Sequence, residues 1–116
     1  MDPDVARLLP LPPAFLNILI AIGDGDNHGY AIMQEVAERT NGKVRMSPGT
    51  LYGSIKRMLD EGLIEELSRR PARDDDERRR YYRVTDFGRA VAAAEAERFT
   101  RLLNEARRSG LVPRKA

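Results

Sequence analysis

The sequence contains no cysteine and no tryptophan, and only 6% of its 116 residues are aromatic. Without cysteine the chain cannot form disulfides, thiolate metal sites or a cysteine nucleophile. This absence fits the reducing environment of the cytoplasm, which is the location we expect for the protein.

Groups that carry catalysis are also scarce. The one histidine, His28, has no His, Asp or Glu partners at metal-ligand spacing, and we expect it to make a local hydrogen bond at a helix start. Gly23, Gly25 and Gly29 lack the preceding strand that a phosphate-binding glycine loop needs. We therefore predict that the chain is not an enzyme and that it binds no cofactor and no metal ion.

Long hydrophobic runs are missing as well. The most apolar stretch, residues 14–22, is interrupted by Asn17, and a membrane span needs about 20 apolar residues. Asp2 and Asp4 occupy the positions where a secretory signal carries basic residues. We expect one globular domain with no membrane partner.

Charge is abundant and unevenly distributed. Residues 1–42 carry two basic and six acidic side chains, a net charge of −4, whereas residues 43–116 carry eighteen and twelve, a net charge of +6. The basic part could face a polyanion such as nucleic acid. The same side chains could equally be solvated surface charge, and charge alone does not decide between the two.

The hydrophobic pattern predicts a mainly α (α+β) fold of the winged helix-turn-helix type, in which three helices precede a two-stranded hairpin. The predicted elements are a helix from Pro13 to the turn at 23–27, a helix from His28 or Gly29 to Arg39, a very short strand at 43–45, a third helix over 47–61, strands at 63–68 and 79–84, and a long helix over 86–108. The predicted organisation is an extension at 1–12, which is extended or only partly helical, a winged-helix domain at 13–85, a dimerisation helix at 86–108 and a tail at 109–116.

The third helix has the clearest start. Ser47 is a good N-cap, and Pro48 fits the first helical position, where its missing N–H costs nothing. One apolar stripe is predicted to face the core, and its residues are Leu51, Ile55, Met58 and Leu59.

The opposite face of the third helix combines cations, small residues and hydroxyls, which suits contact with phosphates and base edges. We therefore predict that this helix reads double-stranded DNA, although Ser47 could serve as a cap alone. Gly53 costs helix stability, which either close approach to a DNA backbone or close packing against another helix would offset. The predicted DNA contacts on this helix and just before it are Lys43, Arg45, Ser47, Thr50, Tyr52, Gly53, Lys56 and Arg57.

The hairpin corresponds to the wing. Its arginines suit a narrow groove or phosphate oxygens, and we predict DNA contacts for Arg78, Arg79 and Arg80. The acidic run at 74–77 predicts that the flanks of the wing touch DNA while its tip does not. The alternative is an internally neutralised, solvated loop.

The last helix carries a short heptad seam, which is typical of helix pairing between chains. Packing on the chain's own first helix is the alternative, and both can hold. The predicted dimer residues are Phe15, Leu19, Ala92, Ala96, Phe99, Leu102, Leu103 and Ala106. The charged residues that flank the seam are Glu95, Glu97, Arg98, Arg101 and Glu105.

Four short segments, which follow one another along the sequence, give the chain a close resemblance to the PadR family of bacterial transcriptional regulators. The resemblance is in particular to the smaller subfamily, which has a short C-terminal region. The segments are residues 28–32 (HGYAI), 47–52 (SPGTLY), 59–64 (LDEGLI) and 80–85 (RYYRVT), with Gly88 and Arg89 following. They occur in order and at fitting distances, and the resemblance extends over roughly residues 13–106.

The resemblance implies a homodimeric repressor that binds a palindromic operator and pairs through its first and last helices. It implies release of DNA by a small hydrophobic or aromatic effector near the dimer interface. Some members use tryptophan there, which this chain lacks, so the effector chemistry is left open. Tyr52 matches the tyrosine of the family's recognition helix. The alternative function is a winged-helix protein-interaction module without DNA binding, to which the acidic wing tip and low net charge point.

Overall fold

The computed structural model describes residues 2–67 and 79–113. Five helices and three strands follow one another along these residues. They are α1 (Pro3–Arg7), α2 (Pro13–Ala21), β1 (Asn27–His28), α3 (Gly29–Arg39), α4 (Pro48–Asp60), β2 (Ile64–Glu66), β3 (Tyr81–Val84) and α5 (Asp86–Arg108). The predicted first, second, third and last helices correspond to α2, α3, α4 and α5, and their predicted bounds are confirmed to within about two residues.

One continuous core lies between α2, α3, α4, the sheet and the first half of α5. Ile18, Ile32, Leu51 and Val91 are fully buried in it, each from a different helix. Because the apolar stripes of these helices meet there, the core fixes how α3 and α4 cross and so fixes which face of α4 remains outside.

The sheet has three antiparallel strands in the order β1–β3–β2. The hairpin is confirmed, with Ile64 opposite Val84 and Glu66 opposite Tyr82. The strand predicted at 43–45 is wrong, because the Thr40 hydroxyl accepts the Val44 N–H at 3.0 Å in a local turn. The third strand is instead β1, where Asn27 lies opposite Tyr82. Residues 68–78, which include the segment between the two predicted strands of the hairpin, fall outside the described residues.

The N-terminal segment is part of the core and not a separate extension. Asp2 caps α1 by accepting the Asp4 N–H at 2.8 Å, and Pro3 occupies the first helical turn. Val5 and Leu11 are buried, and Arg7 forms a 3.2 Å ion pair with Glu61 at the end of α4. α1 packs against α5, and Arg7 joins it to the end of α4, so the N-terminal segment lies in contact with both helices.

Glu95 holds this segment in place. Its carboxylate is fully buried and accepts hydrogen bonds from the Leu11 N–H at 2.7 Å and from the Arg98 guanidinium. Arg98, and to a lesser degree the Leu11 N–H, lowers the pKa of the Glu95 carboxyl, although burial acts in the opposite direction. Glu95 was predicted only to flank the seam of α5, whereas the structure buries it and bonds it to Leu11, 84 residues away in sequence.

α5 begins on the sheet and continues well past it. Thr85 caps it by accepting the Gly88 N–H at 2.9 Å, and Gly88 lies so close to β2 that an added Cβ would be 2.0 Å from the Leu63 carbonyl oxygen. The buried residues of α5 end at Glu95. The rest of this 23-residue helix reaches outward, and the described residues extend over 53 × 34 × 24 Å.

Candidate nucleic-acid interface

α4 presents a polar face to the outside because its apolar face is packed in the core. Leu51, Ile55 and Met58 are buried as predicted. The Ser47 hydroxyl accepts the Thr50 N–H at 3.1 Å and lies 3.1 Å from the Thr50 hydroxyl, which confirms the predicted cap. The start of the helix is thereby held rigid, with both hydroxyl groups exposed.

The exposed face carries most of the predicted contacts. Tyr52 is half exposed, and Gly53 and Lys56 are exposed beside it. A Cβ added at Gly53 would meet no described atom within 4 Å. Among residues 2–67 and 79–113, no helix packs closely enough to be the reason for Gly53, and these residues leave open space over the middle of α4.

Arg57 differs from its neighbours. Its guanidinium lies 5.1 Å from the centre of the Phe15 ring, a cation–π contact with α2. Arg57 is nevertheless exposed, so this contact fixes the position of its side chain beside α2 without removing it from the surface. Both cations of the helix are exposed, and they differ in that Arg57 has this ring contact.

Lys43 and Arg45 lie in the connection between α3 and α4, and both are exposed. The Arg45 guanidinium lies against Gly42, 3.1 Å from where a Cβ would be. The structure therefore brings these two cations to the turn that leads into α4.

Two arginines of the hairpin are paired with glutamates of β2. Arg80 lies 3.2 Å from Glu66, and Arg83 lies 3.4 Å from Glu65. Arg79 and Arg80 are exposed next to β3, while Arg78 is outside the described residues. The base of the wing is therefore partly neutralised by its own chain.

A hollow of about 500 Å³ lies where α3, α4 and β3 meet, and we call it the wing hollow. It brings predicted contacts from α4 and from the wing to one place. Its lining residues are His28, Gly29, Tyr30, Tyr52, Arg79, Arg80 and Tyr82.

The wing hollow also contains residues that the sequence pattern did not assign to DNA. Tyr30 is largely exposed at the start of α3, whereas Tyr82 is buried. Burial, assisted by the nearby Glu66 carboxylate, raises the pKa of Tyr82. No periodicity marks Tyr30; its place in the HGYAI segment is the one signal that could have found it. His28 caps α3 by accepting the Ala31 N–H at 3.3 Å, which confirms the local role predicted for it.

The predicted dimer residues fall into two groups. Phe15 and Leu19 are buried in the chain's own core, which corrects their assignment to a partner, and Ile20 is the exposed apolar residue of α2. The rest lie along α5: Ala92 and Ala106 are half-buried, and Ala96, Phe99, Leu102 and Leu103 are exposed.

Residues 2–67 and 79–113 contain neither a membrane span nor a metal cluster. In these two ranges no helix combines the length and apolar character needed to cross a membrane. The same residues contain no group of three or more His, Cys, Asp or Glu side chains that could hold a metal ion.

Known proteins resemble the chain in sequence. Transcriptional regulator Rv3488 of Mycobacterium tuberculosis is 33% identical over 90 residues, which are 78% of both proteins. An uncharacterized protein of Lysinibacillus sphaericus is 36% identical over 73 residues, and an uncharacterized 37.1 kDa protein in transposon TN4556 of Streptomyces fradiae is 34% identical over 85. These alignments cover 63% and 73% of this chain, but only 65% and 22% of those two relatives.

Solved structures share the fold. A PadR family transcription regulator from Clostridium difficile R20291 superposes with a TM-score of 0.71 at 24% identity, covering 87% of this chain and all of that one. Bacillus subtilis PadR, solved in complex with operator DNA, superposes with a TM-score of 0.62 at 22% identity, covering 73% of this chain and 47% of that one. At these identities the likeness shows the winged-helix fold alone.

Residues 18–94 match the sequence profile of the Transcriptional regulator PadR-like family, and this match spans about two thirds of the chain. The aligned region includes α3, α4, the described part of the hairpin and the first half of α5. The chain therefore belongs to the PadR-like family of transcriptional regulators.

Proposed function

We propose that the protein is a DNA-binding transcriptional regulator that inserts α4 into the major groove of double-stranded DNA. The observation that carries this proposal is the division of α4 into two faces. Its apolar stripe is buried, and its exposed residues include Thr50, Tyr52, Gly53, Lys56, Arg57 and Asp60. A buried stripe and a polar outer face give the helix a fixed orientation toward a polyanion.

Contacts on the outer face divide by chemistry. Lys56 and the cations Lys43 and Arg45 would meet phosphates, whose charge supplies most of the affinity. The hydroxyls of Thr50 and Tyr52 can bond to phosphates or base edges. The open space over Gly53 allows a DNA backbone or base edge to come close to the helix.

A homodimer is the assembly that we propose. The outer half of α5 exposes Phe99, Leu102 and Leu103, each more than 40% accessible. Contiguous apolar surface of this kind marks protein interaction sites, and a two-fold pair would present two α4 helices to a palindromic operator. On α2, Ile20 is a further exposed apolar residue, beside Arg89 and Ala92 in the first half of α5.

Repression and release by an effector complete the proposal. A structure of Bacillus subtilis PadR contains operator DNA, and we extend operator binding to this chain. An apolar hollow of about 210 Å³ between α2 and α5 is lined by Leu16, Leu19, Ile20, Gly23, Val84, Arg89 and Ala92. Arg89 gives it one cation, so a small aromatic acid is the effector class to test first, by its effect on operator affinity.

Titration of DNA from upstream of the protein's own gene tests the function. A scrambled duplex of the same composition serves as control, and both are titrated at several salt concentrations. We expect selective binding to the upstream duplex, with affinity that falls linearly in a log–log plot against salt. Equal affinity for both duplexes would contradict the proposal. DNA affinity that does not change with salt, together with co-purification of a protein partner, would favour a protein-interaction module. The pairing of Arg80 and Arg83 with glutamates is the observation that supports this alternative.

A further inference from the structure

The ring of Tyr52 rests on Gly29, the first residue of α3. A Cβ added at Gly29 would lie 2.7 Å from the Tyr52 hydroxyl oxygen and 3.0 Å from two ring carbons. Distances under 3 Å do not occur for real Cβ atoms. The observed position of the Tyr52 ring is therefore open only to a chain with glycine at 29.

The backbone does not itself require glycine at this position. Positive φ angles occur at Gly42, Gly62 and Gly110, but not at Gly29. Alanine is the better residue for a helix, by about 1 kcal/mol. Alanine at position 29 would thus disturb the Tyr52 ring and not the backbone conformation.

The contact sets where the Tyr52 hydroxyl lies. Tyr52 is half exposed, and its ring reaches across from α4 to α3 at the edge of the wing hollow. Tyr30, Arg79 and Arg80 line the same hollow. The hydroxyl is therefore held between the two helices and the base of the wing, where a DNA strand in contact with both α4 and the wing would pass.

We infer that Gly29 is a positioning residue for DNA recognition: it holds the Tyr52 ring across α3 so that the hydroxyl faces the DNA at the wing hollow. The role of Tyr52 rests on the proposed function. Alanine at 29 would press on the far end of a half-exposed side chain, which can rotate toward solvent at little cost in folding. The substitution therefore moves one contact and leaves the fold intact.

A double-mutant cycle tests the inference on DNA. We expect Gly29→Ala and Tyr52→Ala each to weaken operator affinity about tenfold, the size of one hydrogen bond to a charged group. In the Tyr52→Ala background, Gly29→Ala should have no further effect, because the ring it displaces is gone. An equal loss in both backgrounds would overturn the inference.

Two controls separate positioning from folding. Gly25→Ala meets no atom within 4 Å and should leave operator affinity unchanged. The urea midpoint of Gly29→Ala should be no lower than that of Gly25→Ala, since the ring can move away. A midpoint lowered in parallel with the loss of affinity would contradict a positioning role.

A readout without DNA keeps this inference distinct from the proposed function. The chain labelled with 3-fluorotyrosine has four tyrosine signals, and Tyr52→Phe identifies the one from Tyr52 by its loss. We expect Gly29→Ala to shift that ¹⁹F resonance and Gly25→Ala to leave it in place. An unmoved resonance overturns the positioning role even if the protein binds DNA. A shifted resonance in a protein that does not bind DNA overturns the proposed function, and with it the part of the inference that concerns DNA, but leaves the effect of Gly29 on the Tyr52 ring established.

Discussion

α4 and α5 are both amphipathic helices, but they leave opposite faces outside. The apolar side chains of α4 are buried in the core, so its outer surface is polar and carries Lys56. α5 buries only its first half, and its second half exposes Phe99 and Leu103. The exposed faces of the two helices therefore suit different partners: that of α4 suits a polyanion, and that of α5 suits another apolar surface.

The difference comes from where each helix ends relative to the core. α4 stops at Asp60, and Gly62 with φ +77° turns the chain directly into β2. α5 has no such stop until Arg108, about 20 Å of helix beyond Glu95 at 1.5 Å per residue. Because exposed apolar patches mark interaction sites, we propose that a second copy of the chain covers this part of α5.

The largest expected effect is on the apolar end of α5. We predict that Phe99→Glu combined with Leu103→Glu weakens dimerisation by about 4 kcal/mol, roughly a thousandfold in dimer Kd, because two side chains that the proposed dimer would bury become charged. Analytical ultracentrifugation over a range of concentrations measures this. Leu111→Glu, a residue 84% exposed beyond α5, is the matched control and should leave the dimer intact.

A wild-type chain that is monomeric at all concentrations would remove the contrast between the two helices. The same conclusion would follow if the double variant dimerised as well as the wild type. In either case the exposed end of α5 would need another explanation.

A smaller effect is expected at the junction between the two halves of α5. Glu95→Ala would leave the Leu11 N–H and the Arg98 guanidinium without their acceptor, at a cost on the order of 2 kcal/mol in the free energy of unfolding. Urea denaturation measures it, with the exposed Glu97→Ala as control. Equal stabilities of the two variants would show that the N-terminal segment is not held by Glu95.

The smallest expected effect is the pH dependence of the stabilisation that Glu95 provides. The pKa of Glu95 is lowered below its ordinary value of 4.5, so the ionised carboxylate stabilises the fold above that value. The contribution should be lost as the pH falls from about 4.5 through the lower pKa of the folded state. Urea curves of wild type and Glu95→Gln should therefore converge as the solution is acidified. A constant difference down to about pH 3 would contradict this assignment.

Local signals predicted most of the fold. Ser47 followed by Pro48 marked the start of α4, Thr85 marked α5, and the HGYAI and SPGTLY segments identified the family that the sequence match confirms. Membership of a family of transcriptional regulators also agrees with the prediction that the chain is not an enzyme.

What the sequence did not reveal depends on contacts between distant residues. β1 consists of only Asn27 and His28, and it exists because β3 offers a free edge more than 50 residues later. Glu95 looks like a surface charge beside Arg98 until Leu11 is placed against it. Phe15 and Leu19 were assigned to the dimer interface because helical spacing identifies the apolar face of a helix. The spacing does not show whether that face packs in the chain's own core or against a partner.

For the interface, the sequence identified the outer face of α4 but not its division of roles. Nothing in the pattern distinguishes Lys56 from Arg57, yet Arg57 lies over the Phe15 ring. Nor does the pattern show that Tyr52 rests on Gly29, 23 residues earlier. Both facts require the crossing of α2, α3 and α4 in the core.

The most direct test of the central claim, that the outer face of α4 binds DNA phosphates, is the salt dependence of DNA affinity for Lys56→Ala. Arg101→Ala, which removes the same charge from α5, is the control. We predict that Lys56→Ala weakens binding and reduces the slope of log affinity against log salt by about 0.9 for each phosphate that Lys56 neutralises in the complex, while Arg101→Ala keeps the wild-type slope. An unchanged slope for Lys56→Ala, or the same reduction in both variants, would contradict the account.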